Sequence, residues 1–463
     1  MKKKKFALPD TYIIVFGLIL LALLLGLLMP SGQYNMVTDP NTGREVVDGA
    51  SFHYVDKPAF GFDDFINCFL DGFSANAMLI LGSWMITGFF AMIVNTGALD
   101  RSFVSLSKGL HGKEMLLVPL TVTLFCLTGS TGMLQLQTIA LLPVALTIAK
   151  VLNLDPLVGV ALIYCGTYSG YATSPYSPAN VVLAQQVADV ELMSGFGYRA
   201  IWWCISTVVT CWYVMRYAVR VRKDINNSLL DPSERFQITS GSEDASTGKM
   251  TKRDLAVVLL VVLGFSAYIY KALVAKQGIG YCVGVFLLVC IVVAFITKTP
   301  AADAIKQFVN GASKFTYGGI LMGLSGAIAV IMTKTGILHT IVNICSGPLK
   351  GLPAMISGVM MYVVNLIFNF LIPSTTGKVT MVMPLMAPLG DVIGVARQVT
   401  VSAYCLADAI GNTIIPTHSV LIALISIAGV PFKKWFKFQV PLFLIWSGLA
   451  IAQIVVAVLI GMA

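Results

Sequence analysis

Two short hydroxyl-rich runs, Ser130-Thr131-Gly132 and Ser374-Thr375-Thr376-Gly377, could hold a small cation or the anionic end of a solute. Their hydroxyls supply hard oxygen ligands of the kind sodium requires. Each run interrupts a stretch that is otherwise apolar, from Met115 to Ile148 and from Met355 to Gly394. In the first, each arm has about 15 residues, short of the roughly 20 a spanning helix needs. A helical hairpin that enters and leaves the membrane on one side fits better. Two more apolar segments are broken in the same way. The first starts at Asp155-Pro156, an N-cap followed by a proline in the first helical position. It breaks at Ser174-Pro175-Tyr176-Ser177-Pro178 and resumes to about Ala188. The second runs from Val399 to Ala428 and breaks around Gly411 to Thr417. A half-helix N-terminus offers N–H groups to an anion, and a half-helix C-terminus offers carbonyls to a cation. The same Ser, Thr and Gly residues could merely make turns or allow close helix packing. Two matched hairpins beside two matched breaks favour binding.

Three ionisable residues, Lys378, Asp408 and His418, fall in the second hairpin and its broken helix. Ionisable groups at membrane depth are costly and are read first as functional. Lys378 could meet a solute carboxylate or replace a cation. Asp408 could carry a coupling proton, hold a cationic group, or neutralise Lys378. His418 could titrate near neutrality, although a lone histidine is more often a satisfied helix residue. Tyr164, Tyr168 and Tyr171 share one helical face and could line a pocket. Trp202, Trp203, Trp435 and Phe436 read as an interfacial aromatic belt.

The elements that carry these residues must lie in lipid. Of 463 residues, 57% are hydrophobic and 11% are charged, against roughly 25% charged in a soluble domain. Mean hydropathy is +0.83. The net charge of +9 is gathered in juxtamembrane clusters: Lys2 to Lys5, Arg216 to Lys223, Lys252-Arg253 and Lys433 to Lys437. That placement is a positive-inside pattern rather than a nucleic-acid footprint. The nine cysteines are scattered without a C-x-x-C pair, and only four histidines exist, so neither a metal site nor a disulfide framework is expected. Tyr12 to Met29 is long for the apolar core of a signal peptide and lacks a cleavage signature, so it is expected to be a retained first span.

A polar, net acidic segment, Pro30 to Lys57, follows that span and suits the outer face. Phe60 to Phe73 reads as an interfacial helix, and Ala75 to Val94 as the return span. Val219 to Lys252 is the long polar loop between halves, and Ala301 to Ser313 is a second amphipathic piece. The halves repeat. Phe69-Leu-Asp-Gly72 and Phe308-Val-Asn-Gly311 lie 239 residues apart, as do Asn95-Thr-Gly-Ala-Leu99 and Lys334-Thr-Gly-Ile-Leu338. A shift of 245 pairs the two hydroxyl-rich runs, Pro143 with Pro388, Gly166 with Gly411 and Ser174 with Ser419. By that shift the counterparts of Lys378, Asp408 and His418 are Met133, Ile163 and Thr173, so the charge belongs to one half only. Counting crossings sends the halves through the membrane in opposite directions. Inverted repeats with broken helices are the sequence signature of alternating-access transporters.

At these residues the chain resembles the YfcC-like family of the ion-transporter superfamily. The likeness rests on Leu8-Pro-Asp-Thr-Tyr12, Met29-Pro-Ser-Gly-Gln-Tyr34, Ser374-Thr-Thr-Gly377, Met383-Pro-Leu-Met-Ala-Pro388, Val395-Ala-Arg-Gln-Val399 and Asp408-Ala-Ile-Gly-Asn-Thr-Ile-Ile-Pro-Thr417. More distant relatives are the p-aminobenzoyl-glutamate transporters and the divalent-anion/sodium symporters. The resemblance implies an all-α polytopic membrane protein of about nine transmembrane helices plus two re-entrant hairpins. It implies a homodimer whose protomers combine a scaffold with an elevator-type transport domain. The expected division is scaffold at 1–112 and 278–351, transport parts at 113–218 and 352–463, and a cytoplasmic loop with connecting helix at 219–277.

The expected solute site comprises Ser130, Thr131, Gln135, Tyr168, Thr173, Ser174, Asn180, Ser374, Thr375, Thr376, Lys378, Asp408, Asn412 and Thr417. Ion ligands are expected among Ser130, Thr131, Ser374, Thr375, Thr376 and Asn412, with no metal beyond sodium and no catalytic residue. The expected activity is secondary transport of a small carboxylate-bearing metabolite, a dicarboxylate or an amino acid, driven by sodium, a proton or exchange. A basic amino-acid antiporter is the alternative, and a passive channel or membrane-embedded transferase the contrast from another class. The expected location is a bacterial inner membrane, with the N-terminus cytoplasmic and the C-terminus outside. No organic cofactor and no nucleic-acid partner are expected.

Overall fold

The computed structural model describes residues 11–38, 45–48, 51–99, 101–102, 113–132, 135, 138–236, 250–274, 279–313, 315–346, 352–371, 375–392 and 394–462. They are overwhelmingly helical. Helix α1 (Thr11–Leu28) is followed by four short strands, β1 (Gly32–Gln33), β2 (Met36–Thr38), β3 (Glu45–Val47) and β4 (His53–Tyr54). These pair as two small antiparallel ladders, β1 with β4 and β2 with β3. The polar segment is therefore a minor β addition to an expected all-α fold.

Helix α2 (Phe62–Asn95) fuses the expected interfacial helix and the return span into one element of 34 residues. Nothing between Phe73 and Ala75 breaks a helix, so the chain bends instead, by 48° between Phe62–Met78 and Ile80–Asn95. The acidic start is a cap, with Asp64 Oδ2 accepting from Gly61 N at 2.8 Å.

The helices expected to form the first hairpin are α3 (Leu117–Ser130) and α4 (Thr138–Val151), both of 14 residues. Then come α5 (Pro156–Ala172), a π-helical turn (Pro178–Val182), α6 (Leu183–Val187) and α7 (Phe196–Lys223). Asp155 caps α5 by accepting from Val158 N at 2.9 Å, and Tyr217 of α7 donates to its other oxygen at 2.7 Å. The second half runs α8 (Lys252–Val274), α9 (Ile279–Thr297), α10 (Ala301–Ser313), α11 (Thr316–Lys334) and α12 (Leu338–Ser346). The helices expected to form the second hairpin are α13 (Ala354–Leu371) and α14 (Thr375–Val392), followed by α15 (Arg397–Gly411), α16 (Ser419–Ile427) and α17 (Phe432–Leu459). Its arms have 18 residues each, about 27 Å of helix and longer than in the first hairpin.

Among the described residues three helices are long and apolar enough to cross a membrane: α1, α11 and α17. The bent pair in α2 makes a fourth when taken as one span. Shorter apolar helices, at Glu114–Ser130, Thr138–Val151, Val283–Thr297 and Ala354–Asn369, account for much of the remaining apolar chain.

The element boundaries sharpen the repeat. Helix α2 and the α10–α11 pair are 239 residues apart at both ends, 62 to 301 and 95 to 334. The starts of α5 and α15, and the resumptions at Pro178 and Ser419, are both 241 apart. The hairpin arms start 237 apart. The 245-residue shift is thus several residues too long, because it matched the hydroxyl-rich runs and not the helix ends. On the corrected register Asp408 corresponds to Thr167, His418 to Ser177 and Lys378 to Leu141. The charges still belong to one half alone.

Packing follows the same symmetry. Helix α5 lies against both arms of the first hairpin and against α7, and α15 lies against both arms of the second and against α17. Helices α5 and α15 also touch each other. Every residue of α5 is buried, as expected for a helix that is apolar all round and enclosed by neighbours. A second group forms around α2, which packs against α9, α10 and α11, while α1 packs on α11. The two groups meet mainly through α11 against α16. An ion pair of 2.6 Å between Arg101, beyond α2, and Asp254, in the first turn of α8, ties the two halves together. The Arg101 hydrogen bonds hold the Asp254 carboxyl down to about 2.

The approach of α3 to α5 depends on glycine. A Cβ on Gly129 would overlap the Thr167 carbonyl oxygen, and one on Gly170 would overlap the Cys126 carbonyl oxygen. Gly170→Ala is expected to cost about 1–3 kcal/mol by overpacking and to lower the melting temperature in detergent. Gly197→Ala, where a Cβ meets nothing within 4 Å, should leave melting unchanged; equal melting of the two variants would contradict this packing.

Candidate functional site

At the first break, α5 stops at Ala172 and Thr173 closes it, its hydroxyl donating to Ser169 O at 2.9 Å. Ser174, fully buried, organises the unwound backbone. Its Oγ accepts from Tyr176 N at 3.2 Å and Ser177 N at 2.9 Å, and donates to Ser130 O at 2.7 Å. One side chain thus joins the break to the tip of the first hairpin. The chain re-enters helix through a π-helical turn, a form that recurs at functional sites. Gly132 at the tip has φ +65, and a Cβ there would overlap Ser177 Oγ. Ser130 donates to Leu127 O and Thr131 to Thr128 O, each at 2.7 Å. Both hydroxyls therefore fold back on their own helix end. The donation uses the Ser130 proton and leaves that hydroxyl's oxygen lone pairs for a cation.

At the second break, α15 ends at Gly411 and α16 begins after His418. His418 Nδ1 caps α16, accepting from Leu421 N at 3.4 Å. That role assigns the proton to Nε2, which lies 3.1 Å from the Tyr168 hydroxyl. Tyr164 donates to Asn412 O at 2.9 Å and approaches His418 Nδ1 at 3.1 Å. Trp435 Nε1 donates to Thr413 O at 3.0 Å. Trp435 is fully buried, so its reading as a belt residue is wrong: its indole satisfies a carbonyl that the broken helix leaves open. His418 is a satisfied capping residue. The tyrosine face of α5 does line the site, since Tyr164 and Tyr168 hold the second break and Tyr171 reaches toward Asp408 Oδ2 at 3.5 Å.

Between the breaks lies a buried ion pair. Lys378 Nζ is 2.7 Å from Asp408 Oδ1, with side-chain exposures of 0% and 3%. Asn369 Oδ1 accepts from the same ammonium. Asn369 Nδ2 donates to Ala407 O at 2.6 Å and Asp408 O at 2.9 Å, which fixes the amide oxygen toward lysine. The Tyr404 ring lies under the ammonium, 4.8 Å from its centroid. Across the pseudo-symmetry, Asn180 Nδ2 of the first break reaches Cys405 O at 3.4 Å.

The structure thus gathers Ser130, Thr131, Thr173, Ser174 and Asn180 at one break and Tyr168, Asn412 and Thr417 at the other, with Lys378 and Asp408 between. Gln135 is half-buried by the first hairpin tip. Ser374 lies outside the described residues; Thr375 and Thr376 open α14, and only their backbone is described. Asn369 and Tyr404 were not anticipated. Asn369 carried a signal, an amide inside an apolar run, and Tyr404 stands one helical turn before Asp408.

Several buried polar atoms here have no hydrogen-bond partner: Gln135 Nε2, Thr167 Oγ1, Ser177 Oγ, Asn180 Oδ1 and Thr417 Oγ1. Buried polar groups are normally satisfied; Ser83, Trp203, Asn365, Gln439 and Gln453 carry such atoms elsewhere in the described residues, and those of Gln135, Ser177, Asn180 and Thr417 fall at the interruptions. Two cavities lie elsewhere. One of about 550 Å³ is lined by Arg101, Arg253, Asp254 and Gln307, and an apolar one of about 810 Å³ lies between α9 and α10. Among the described residues no group of His, Cys, Asp and Glu could hold a metal ion.

Interrupted helices paired in two matched halves, beside helices long and apolar enough to cross a membrane, are the architecture expected of a membrane transporter. The family profile described as C4-dicarboxylate anaerobic carrier, DcuC, matches residues 8–460, and the chain belongs to that family. It is 26% identical to the "Putative basic amino acid antiporter YfcC" of Escherichia coli K12, over 94% of this chain and 93% of that one. It is 24% identical to an uncharacterised Haemophilus influenzae protein over 98% of each chain. The family and the named relative are transporters, not enzymes. Among solved structures, the YdaH transporter of Alcanivorax borkumensis overlaps with a TM-score of 0.43 and 15% identity, covering 98% of this chain and 99% of its own. Neisseria gonorrhoeae MtrF, described as illuminating a class of antimetabolite efflux pumps, gives 0.43 and 16%, covering 97% and 95%. At these scores the likeness fixes neither function nor mechanism.

Trp435→Phe deletes the donor to Thr413 O together with the indole's five-membered ring, leaving a small cavity. Stranding that carbonyl costs about 1–3 kcal/mol, so the melting temperature should fall. Unchanged melting would contradict the role given to this hydrogen bond.

Proposed function

We propose that the chain is a secondary active carrier of a small carboxylate-bearing metabolite, with its solute and ion bound between the two helix breaks and the first hairpin tip. The observation that carries this reading is the set of partnerless buried atoms at those interruptions: Ser177 Oγ, Asn180 Oδ1, Thr417 Oγ1 and Gln135 Nε2. Hydroxyl and amide donors, together with the N-terminal N–H groups of α16, suit a carboxylate. Oxygens of Ser130, Thr131 and Asn180 suit a sodium ion, or a water chain if protons drive transport. Irregular backbone at membrane depth is tolerated where it lines a solute path.

A dicarboxylate or neutral amino acid fits better than a basic one. Asp408, the carboxylate that a cationic side chain would seek, already holds the Lys378 ammonium at 2.7 Å. Lys378 was expected to grip the solute carboxylate; its partners Asp408 and Asn369 instead support a countercharge role.

The two packing groups support a scaffold built from α1, α2 and α8–α12, and a transport domain built from α3–α7 and α13–α17, moving past each other at the α11–α16 seam. About nine crossings with two re-entrant hairpins, inverted halves, a cytoplasmic N-terminus, an outer C-terminus and an inner-membrane homodimer complete the proposal. The basic cluster Arg220, Arg222 and Lys223 in the last turn of α7 supports that orientation.

A thermal-shift screen of purified protein against C4-dicarboxylates and amino acids, with sodium or choline, tests the reading. A true solute at a hundredfold excess over its dissociation constant adds about 2.7 kcal/mol, so a dicarboxylate or neutral amino acid should raise the melting temperature by several degrees. Asn180→Leu should abolish that rise. Stabilisation by arginine or lysine alone would reject the preference for a dicarboxylate or neutral amino acid.

A further inference from the structure

The first and second halves treat equivalent places differently. In the first half, Thr167 and Ser177 present buried hydroxyl oxygens without partners. In the second half, their counterparts are Asp408 and His418, and a lysine reaches the carboxylate. The surroundings of that lysine resemble the shell of a small bound cation: the Asp408 carboxylate, the Asn369 amide oxygen and the Tyr404 ring face. Asn369 is locked in place by its own donations to Ala407 O and Asp408 O. Lys378 is the fourth residue of α14, so its ammonium reaches the Asp408 carboxylate from the first turn of that helix.

From this juxtaposition we infer that the Lys378 ammonium is a built-in cation, tethered where the second half would otherwise bind a dissolved ion, so that this half-site is filled without sodium. The inference rests on reading the two breaks as a solute site and assigns the charge balance within it. A buried ammonium is retained at 0% exposure because removing either partner leaves an uncompensated charge in a low-dielectric interior. A pair that serves packing alone and a pair that replaces a dissolved ion differ in one respect. The second leaves a cation-shaped site when the tether is cut.

The test is chemical rescue, read as melting temperature without any solute. Lys378→Ala removes a propylammonium-sized fragment and leaves the Asp408 carboxylate in place. Wild type, Lys378→Ala and the neutralised pair Lys378→Met/Asp408→Asn are melted in equal concentrations of choline, sodium, methylammonium and n-propylammonium chloride. Lys378→Ala should melt lowest in choline and recover in sodium and the small ammonium ions, with propylammonium best. Its shift should be at least twice that of wild type, and the neutralised pair should return to the wild-type shift. Equal shifts in Lys378→Ala and wild type would overturn the inference. If Lys378→Ala yields no folded protein, Lys378→Gln is compared in the same salts and judged by the same criterion. A failed carboxylate screen beside a successful rescue would remove the proposed solute and leave the built-in cation standing.

Discussion

The structure depends on one constraint: peptide groups released where a helix is interrupted inside an apolar protein must still find partners. Each unmade hydrogen bond in such surroundings costs several kcal/mol. The chain meets most of this demand with side chains of its own. Ser174 gathers two N–H groups at the first break, His418 caps the helix after the second, and Tyr164 and Trp435 take the carbonyls of Asn412 and Thr413. Beside these residues, Ser177, Asn180 and Thr417 each keep a buried side-chain atom without a partner. Function is most economically placed at those atoms.

The halves share a scaffold and differ in charge. Element starts repeat at 239 and 241 residues, and α5 and α15 occupy the same kind of slot between hairpin arms. Onto that frame the second half adds Lys378 and Asp408, and their pairing makes the site asymmetric. An alternating-access protein needs two conformations of similar free energy. On the proposed carrier reading, near-equivalent halves would supply that equivalence, and the charged pair on one side would give the site its polarity.

Much of this was legible in the sequence, for identifiable reasons. Asp155-Pro156 announced the start of α5 because capping and proline chemistry are local. The amphipathic piece at Ala301–Ser313 and the break after Gly411 matched the observed boundaries because each coincides with a change in composition. Three features were hidden. The repeat register was misjudged because similar Ser-Thr-Gly runs fall at different distances from their helix ends. Trp435 was misread because tryptophan at a helix start is usually interfacial, and only the fold brings it onto Thr413. The Lys378 partners, Asn369 and Tyr404, come from separate helices, so local pattern alone does not unite them.

A structure determined with a saturating solute tests the central claim most directly. Density bridging Ser177 and Asn180 of one break to Thr417 of the other, beside an intact Lys378–Asp408 pair, is the outcome this account requires. Solute density confined to the cavity lined by Arg101, Arg253 and Gln307, with both breaks unchanged, would contradict it.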